Sequence, residues 1–372
     1  MVALLQELAA LESPTDDPQA TARVLDRLAH ELVASGLIVR RRRGRTSAGQ
    51  VVAHPASRAR HKPLQLLVGH CDTVWPVGTA REMPVQVVGD EIRGPGVFDM
   101  KAGLVQMIFA LRALREVRCD PPATPVVMIN SDEETGSADS QRVTVRLARR
   151  AVRAFVLEPA YGPSGKLKTS RKAVGEFEVV IHGRAAHAGL SPGEGTSAVL
   201  ELSHQIQRLF ALSDPVAGIS VNVGTIDGGV GPNVVAPEVR ARVDVRARTL
   251  ADAARVESAI RSLTPVDPKT SIHISGGFGH PPLEPGPRNR ALWELASSLA
   301  QQMGIDLEEA SVGGASDGNI ISQHTATLDG LGAVGDGAHA PHEYVLASKL
   351  SERAALVALL LAAPLHAAEE RP

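Results

Sequence analysis

Apolar residues recur along this chain with two different periods, and the pattern changes near Val174. Before that point, short unbroken apolar runs alternate with stretches of helical spacing. Leu64-Gln65-Leu66-Leu67-Val68-Gly69, Val126-Val127-Met128-Ile129 and Ala154-Phe155-Val156-Leu157 read as buried strands. Val24, Leu25, Leu28, Leu32 and Val33 mark a helix between Thr21 and Ser35. Leu104, Met107, Ile108, Leu111 and Leu114 mark a second, strongly apolar helix. Strands alternating with helices predict a mostly parallel, buried sheet. Such sheets bind ligands beyond the carboxyl ends of their strands. His70-Cys71-Asp72-Thr73, Asn130-Ser131-Asp132-Glu133-Glu134-Thr135-Gly136 and Glu158-Pro159 stand at those ends.

Beyond Val174 the residues from Glu176 to His182 alternate as a half-exposed strand, and Thr196 to Phe210 has helical spacing. Ile219 to Ile226 and Val239 to Val245 read as strands, Leu250 to Leu263 as a helix and Ser271 to Ser275 as a closing strand. This β-α-β-β-α-β order predicts a ferredoxin-like α+β domain, residues 174–281, inserted into a discontinuous α/β domain of residues 1–173 and 282–372. In the second segment a helical pattern resumes at Leu292. Gly313-Gly314-Ala315-Ser316-Asp317-Gly318-Asn319 follows, then a strand from Ala326 to Leu331, His339-Ala340-Pro341-His342-Glu343-Tyr344 and a last helix.

Composition narrows the function. The 372 residues are 44% hydrophobic and 22% charged with a formal net charge of -2, which gives no reason to expect nucleic acid or an anionic membrane as a partner. Arg40-Arg41-Arg42-Arg43 reads as a solvated patch. The start, Met1 to Leu8, has an early acid and reads as an amphipathic helix and not a secretory signal. The run from Ala354 to Leu365 is too short to span a membrane and contains Pro364. Two cysteines, Cys71 and Cys119, form no disulfide framework and fit a reducing compartment, so a cytoplasmic location is expected.

His70, Asp99, Glu134, Glu158 and His339 offer two imidazoles and three carboxylates, enough for two divalent ions with one carboxylate bridging. Mixed nitrogen and oxygen ligation without thiolate suits Zn²⁺, with Co²⁺ or Mn²⁺ as substitutes. Asp72 is placed to accept the second ring N–H of His70 and fix its tautomer. Glu133, beside a ligand but pointing elsewhere, is then the general base.

The motifs His70-Cys71-Asp72-Thr73-Val74, Gly94-Pro95-Gly96 with Asp99-Met100-Lys101, Asp132-Glu133-Glu134-Thr135-Gly136, Glu158-Pro159 and His339-Ala340-Pro341-His342-Glu343-Tyr344 resemble those of the M20 metallopeptidases. Ala186-His187-Ala188-Gly189 and Pro232-Asn233-Val234-Val235-Ala236-Pro237 resemble signatures of that family's inserted domain. Within the family, the chain is similar to the glutamate carboxypeptidase (carboxypeptidase G) group. The resemblance implies a zinc-peptidase fold with an inserted lid and dimerisation domain, two zinc ions per subunit and a homodimer. It places His70 and Glu158 on one zinc, Glu134 and His339 on the other, Asp99 between them and Glu133 as base. It also implies oxyanion stabilisation by His187 and substrate binding by Asn233, Arg246 and Gly314. The implied reaction releases a C-terminal, glutamate-like amino acid from a small peptide or N-acyl amino acid. The chain departs from the family at Ala102-Gly103, where a Gly-Gly pair is usual, and only loosely matches its substrate-contacting segment at Lys166 to Ser170.

Two other readings stand beside this one: an N-acyl-amino-acid deacylase of deacetylase or desuccinylase type, and a metal-binding protein without turnover. His342 competes with His339 as ligand. Cys71 reads as a packing thiol and Asp132 as a turn cap.

Overall fold

The computed structural model describes residues 1–56 and 62–365. They divide into two compact units, Met1–Ser170 with Pro285–Val312 and Ser316–Pro372, and Arg171–Glu284 with Gly313–Ala315.

The first unit is α/β. Its main sheet has six strands in the spatial order Leu37–Arg42, Gln50–Pro55, Thr124–Asn130, Leu64–His70, Ala151–Val156 and Ala326–Leu328. The four from Thr124–Asn130 onward pair in parallel, and the first two run antiparallel along one edge. Leu64–His70, Thr124–Asn130 and Ala151–Val156 are buried at every position, as expected of strands covered on both faces. The helices Pro18–Ala34, Ala102–Glu116, Pro287–Gln302 and Ala347–Ala362 contribute to the larger core. Gln141–Ala148 and Asp317–Ser322 contribute to the smaller one.

Two helices of this unit show how local chemistry sets its elements. Asp17 starts the helix Pro18–Ala34 by accepting hydrogen bonds from Gln19 and Ala20 N–H, both 3.0 Å. The helix Ala102–Glu116 buries Leu104, Ile108 and Leu111, each worth about 2 kcal/mol of hydrophobic burial. It lies so close to the sheet that a Cβ on Gly103 would stand 2.1 Å from Leu157 O. Glycine is required there, whereas Ala102 fits, buried, at the departure from the Gly-Gly pair. An irregular turn, Val97–Lys101, precedes the helix and carries Asp99.

The second unit is antiparallel, with strands in the order Ser220–Gly228, Glu238–Ala247, Ala173–His182 and Ser271–His280. With the helices Ala198–Phe210 and Leu250–Arg261, both contributing to one core, the chain order is β-α-β-β-α-β. Elements differ from the sequence pattern mainly in length. The closing strand runs on to His280, and the strand from Ala326 stops at Leu328. Neither Leu37–Arg42 nor Gln50–Pro55 has a clear apolar period: the first is the exposed edge strand and carries arginines, and the second, paired on both sides, is short and mixes buried and half-buried positions.

Candidate metal centre

His70, Glu133, Glu134 and Glu158 follow the carboxyl ends of three adjacent strands, so parallel pairing alone brings them together. Asp99 arrives from the turn Val97–Lys101 and His339 from the loop before Tyr344–Leu346. His70 Nε2 lies 3.2 Å from Asp99 Oδ1 and 3.4 Å from Glu158 Oε1. On the other side, His339 Nε2 lies 3.1 Å from Glu134 Oε2 and 3.5 Å from Asp99 Oδ2. Asp99 therefore turns one carboxylate oxygen to each imidazole. His339 sits at the exposed rim in a left-handed conformation, φ +60°, a strained backbone for a non-glycine residue.

These residues fit divalent ions. Zinc ligands about 2.1 Å from a tetrahedral ion lie roughly 3.4 Å from one another, close to the four separations above. Two groups, His70 with Asp99 and Glu134, and His70 with Glu133 and Glu158, hold their donor atoms within 4.8 Å. Glu134 Oε1 is buried and makes no hydrogen bond, a costly state for a carboxylate that a cation would relieve. The protonation equilibria show the same demand for positive charge. Burial disfavours the His70 cation, yet hydrogen bonds to Asp72, Asp99 and Glu158 raise its pKa well above 6.5. The Glu134 hydrogen bond pushes His339 up to about 9. Burial, aided by Glu158, Asp317 and Glu134, holds the Glu133 carboxyl well above the usual carboxylate range.

The surroundings orient this cluster. The Nδ1–H of His70 is 3.0 Å from the backbone carbonyl of Asp72 and 3.4 Å from its Oδ1. The closer acceptor is thus the carbonyl. The Asp72 carboxylate accepts hydrogen bonds from Thr15 Oγ1 and Glu134 N–H at 2.8 and 3.2 Å. Asp132 does not cap the acidic turn with its side chain; its carboxylate accepts instead from the backbone N–H of Asp139 and Ser140, tying the turn to the segment before the helix Gln141–Ala148. Behind that turn, Asp317 accepts from Asn130 Nδ2 and Ser137 Oγ, and burial pushes it up to about 6. Cys71 is fully buried and free, a packing thiol.

Glu343, whose role no sequence pattern specifies, is one of the centre's main supports. Its buried carboxylate accepts the backbone N–H of Gly96, Phe98 and Asp99 at 2.8, 2.9 and 3.0 Å, and Trp75 Nε1 at 2.9 Å. It fixes the turn that presents Asp99. The sequence signal was an acid inside an otherwise ligand-bearing motif. Glu343→Ala leaves three backbone N–H groups, two of them buried, without their acceptor and is expected to destabilise by about 2–3 kcal/mol. Metal affinity is expected to fall about 10–100-fold. Thermal unfolding and a metal titration check both values.

Four other predicted site residues belong to the second unit. His187 is exposed, and its Nδ1 accepts the backbone N–H of Gly189 and Leu190, both at 3.1 Å. That leaves Nε2–H as the donor of the neutral ring. A bridge between His187 and Val234, with Ala188 N–H bonded to Asn233 O, brings His187 and Asn233 together. Arg246 is paired with Asp244 at 2.7 Å, and one of its nitrogens lies 3.5 Å from Gly313 O. Gly314 O accepts a hydrogen bond from Arg171 at 3.1 Å.

Comparison with known proteins adds to this geometry. The profile of peptidase family M20/M25/M40 matches residues 66–363. Carboxypeptidase G2 of Pseudomonas sp. (strain RS-16) is 28% identical over 369 residues, covering 97% of this chain and 88% of that protein. In fold, the chain is similar to aminopeptidase PepT from Bacillus cereus, with TM-score 0.79 and 21% identity over 97% of this chain and 96% of that one. It is also similar to Bacillus subtilis YxeP, described as a dinuclear metal-binding peptidase, with TM-score 0.71 and 13% identity over 97% and 96%.

Proposed function

Because this chain belongs to peptidase family M20/M25/M40 and is a metal-dependent peptide hydrolase, we propose that it releases a C-terminal, glutamate-like amino acid from a small peptide or N-acyl amino acid. The observation that carries the chemistry is the bridging placement of Asp99 between the two imidazoles, with Glu133 beside Glu134. Its extension to a carboxypeptidase rests on the full-length similarity to Carboxypeptidase G2.

His70 and Glu158 would hold one zinc ion and Glu134 and His339 the other, with Asp99 shared. Bound there, the ions would polarise the scissile carbonyl and supply an acidified water at neutral pH. Glu133 takes the proton of the attacking water and passes it to the leaving amine. A base with a raised pKa suits both halves of that transfer. Asp72 holds the His70 ring through Nδ1. His187 donates Nε2–H to the developing oxyanion, and Asn233, Arg246 and Gly314 bind the substrate. Lys172, Arg246 and Arg248 place positive charge together in the second unit, which favours an acidic amino acid there.

The exposed edge strand Ser220–Gly228 and the exposed Val199, Leu200 and Phe210 of the helix Ala198–Phe210 support two-fold association through the second unit, whose further role is that of a lid. Among the described residues no helix is long and apolar enough to cross a membrane. The two free cysteines support action in a reducing compartment such as the cytoplasm.

Exhaustive chelation is expected to abolish hydrolysis and zinc to restore it. His70→Ala or His339→Ala is expected to lower the bound metal from two ions per chain, as measured by elemental analysis. Activity that survives chelation would remove the metal reading. With zinc present, a panel of folate-type, dipeptide, N-acetyl and N-succinyl substrates tests the reaction. Glutamate-ended substrates should give the highest kcat/KM. A preference set by the acyl group, with no dependence on the released amino acid, would identify a deacylase instead.

A further inference from the structure

The arginine run on the edge strand is exposed, and its side chains divide between two faces. Side chains of a strand alternate between faces, and Arg41 turns to pair with Asp26 at 2.9 Å. Arg40 and Arg42 instead line a groove of about 300 Å³ together with Arg146 and Arg150. Arg146 lies in the last turn of the helix Gln141–Ala148 and Arg150 just beyond it. Val52, Leu64, Val126 and Leu147 form an apolar lining, and His54 completes the groove.

Three observations set this groove apart from a charged surface. None of its four arginines is ion-paired among the described residues, although the neighbouring Arg41 is. The chain as a whole has a formal net charge of -2, so four arginines lining one groove are a local concentration of positive charge. The groove also lies at the opposite end of the sheet from the metal centre. It contains Leu64, the first residue of the strand that ends at His70, roughly 20 Å away at strand rise.

We propose that this groove binds a phosphate-bearing small molecule at a site separate from the metal centre. Four like charges around one concavity repel one another, and a multiply charged anion offsets that repulsion where a single carboxylate would not. Guanidinium forks match phosphate oxygens two at a time, and the lining residues provide a partly desolvated wall that strengthens those bonds. The competing account is that the arginine stems merely shield apolar sheet while their heads stay in water.

Calorimetric titration of the intact zinc-loaded protein with inorganic pyrophosphate at fixed ionic strength separates these accounts. The site predicts one saturable event per chain. The double variant Arg40→Gln/Arg150→Gln should bind at least about tenfold more weakly, while Arg41→Gln on the other face binds as the wild type does. Arg40 and Arg150 are exposed, so the double variant should keep its melting temperature without ligand. Pyrophosphate that acted only by drawing zinc from the metal centre would titrate the double variant equally, and that result overturns the site. So does the absence of saturation in the wild type. Salt-sensitive binding of an RNA oligonucleotide with none of pyrophosphate would also overturn it, in favour of a nucleic-acid face.

Discussion

Glu133→Ala is expected to retain the fold and both metal ions and to lose about 10³- to 10⁴-fold in kcat, or about 4–5.5 kcal/mol of transition-state stabilisation. The reason lies in the acidic turn. Glu134 is the carboxylate within 3.1 Å of His339, whereas the Glu133 carboxylate lies with His70 and Glu158 and makes no hydrogen bond of its own among the described residues. Removing a group that orients no neighbour leaves the ligands in place. KM should change little, because the proton transfer belongs to the transition state. Elemental analysis and steady-state kinetics on the same preparation test the assignment. Since Glu133 stands within ligand distance of His70 and Glu158, the alternative is specific: loss of metal in parallel with activity would make Glu133 a ligand and leave the base unidentified.

His187→Ala is expected to lower kcat by about 10²- to 10³-fold while zinc content and melting temperature stay close to wild type. Two backbone N–H groups occupy Nδ1 and so fix Nε2 as the nitrogen that can donate. The ring is exposed, so its removal opens no cavity in the core. Supply of Nε2–H in cis or by a partner subunit distinguishes two forms of the proposal. Mixing His187→Ala with an inactive Glu133→Ala chain should recover activity only if the donor comes from the partner, provided that the subunits exchange. Near-normal kcat in His187→Ala would assign the ring a packing role alone.

Much of the site could be read from order and period alone. A parallel sheet places the residue after each strand at one end, so His70, the acidic turn and Glu158 had to converge once their strands were recognised. The second unit was legible for a related reason, since its alternating strands and amphipathic helices have strong, different periods and are long. The strands Leu37–Arg42 and Gln50–Pro55 lacked that signal, because arginines replace the apolar alternation on the exposed edge strand and its inner neighbour is too short to show a period.

Tertiary structure decided whatever depended on loops meeting across long sequence separations. Asp99 and Glu343 are 244 residues apart, and no local pattern says that one carboxylate will hold the backbone of the other. His339 and His342 share a motif, and it is the folded loop that brings His339 Nε2 to Glu134 and Asp99. The second ring nitrogen of His70 found the Asp72 carbonyl closer than its carboxylate, which local chain geometry sets and residue identity does not. By itself the sequence determined which chemistry-bearing side chains each strand end carries, because their position follows from strand period. Only the three-dimensional structure decided how the connecting loops aim them, because those loops have no period and are fixed by buried hydrogen bonds to distant residues.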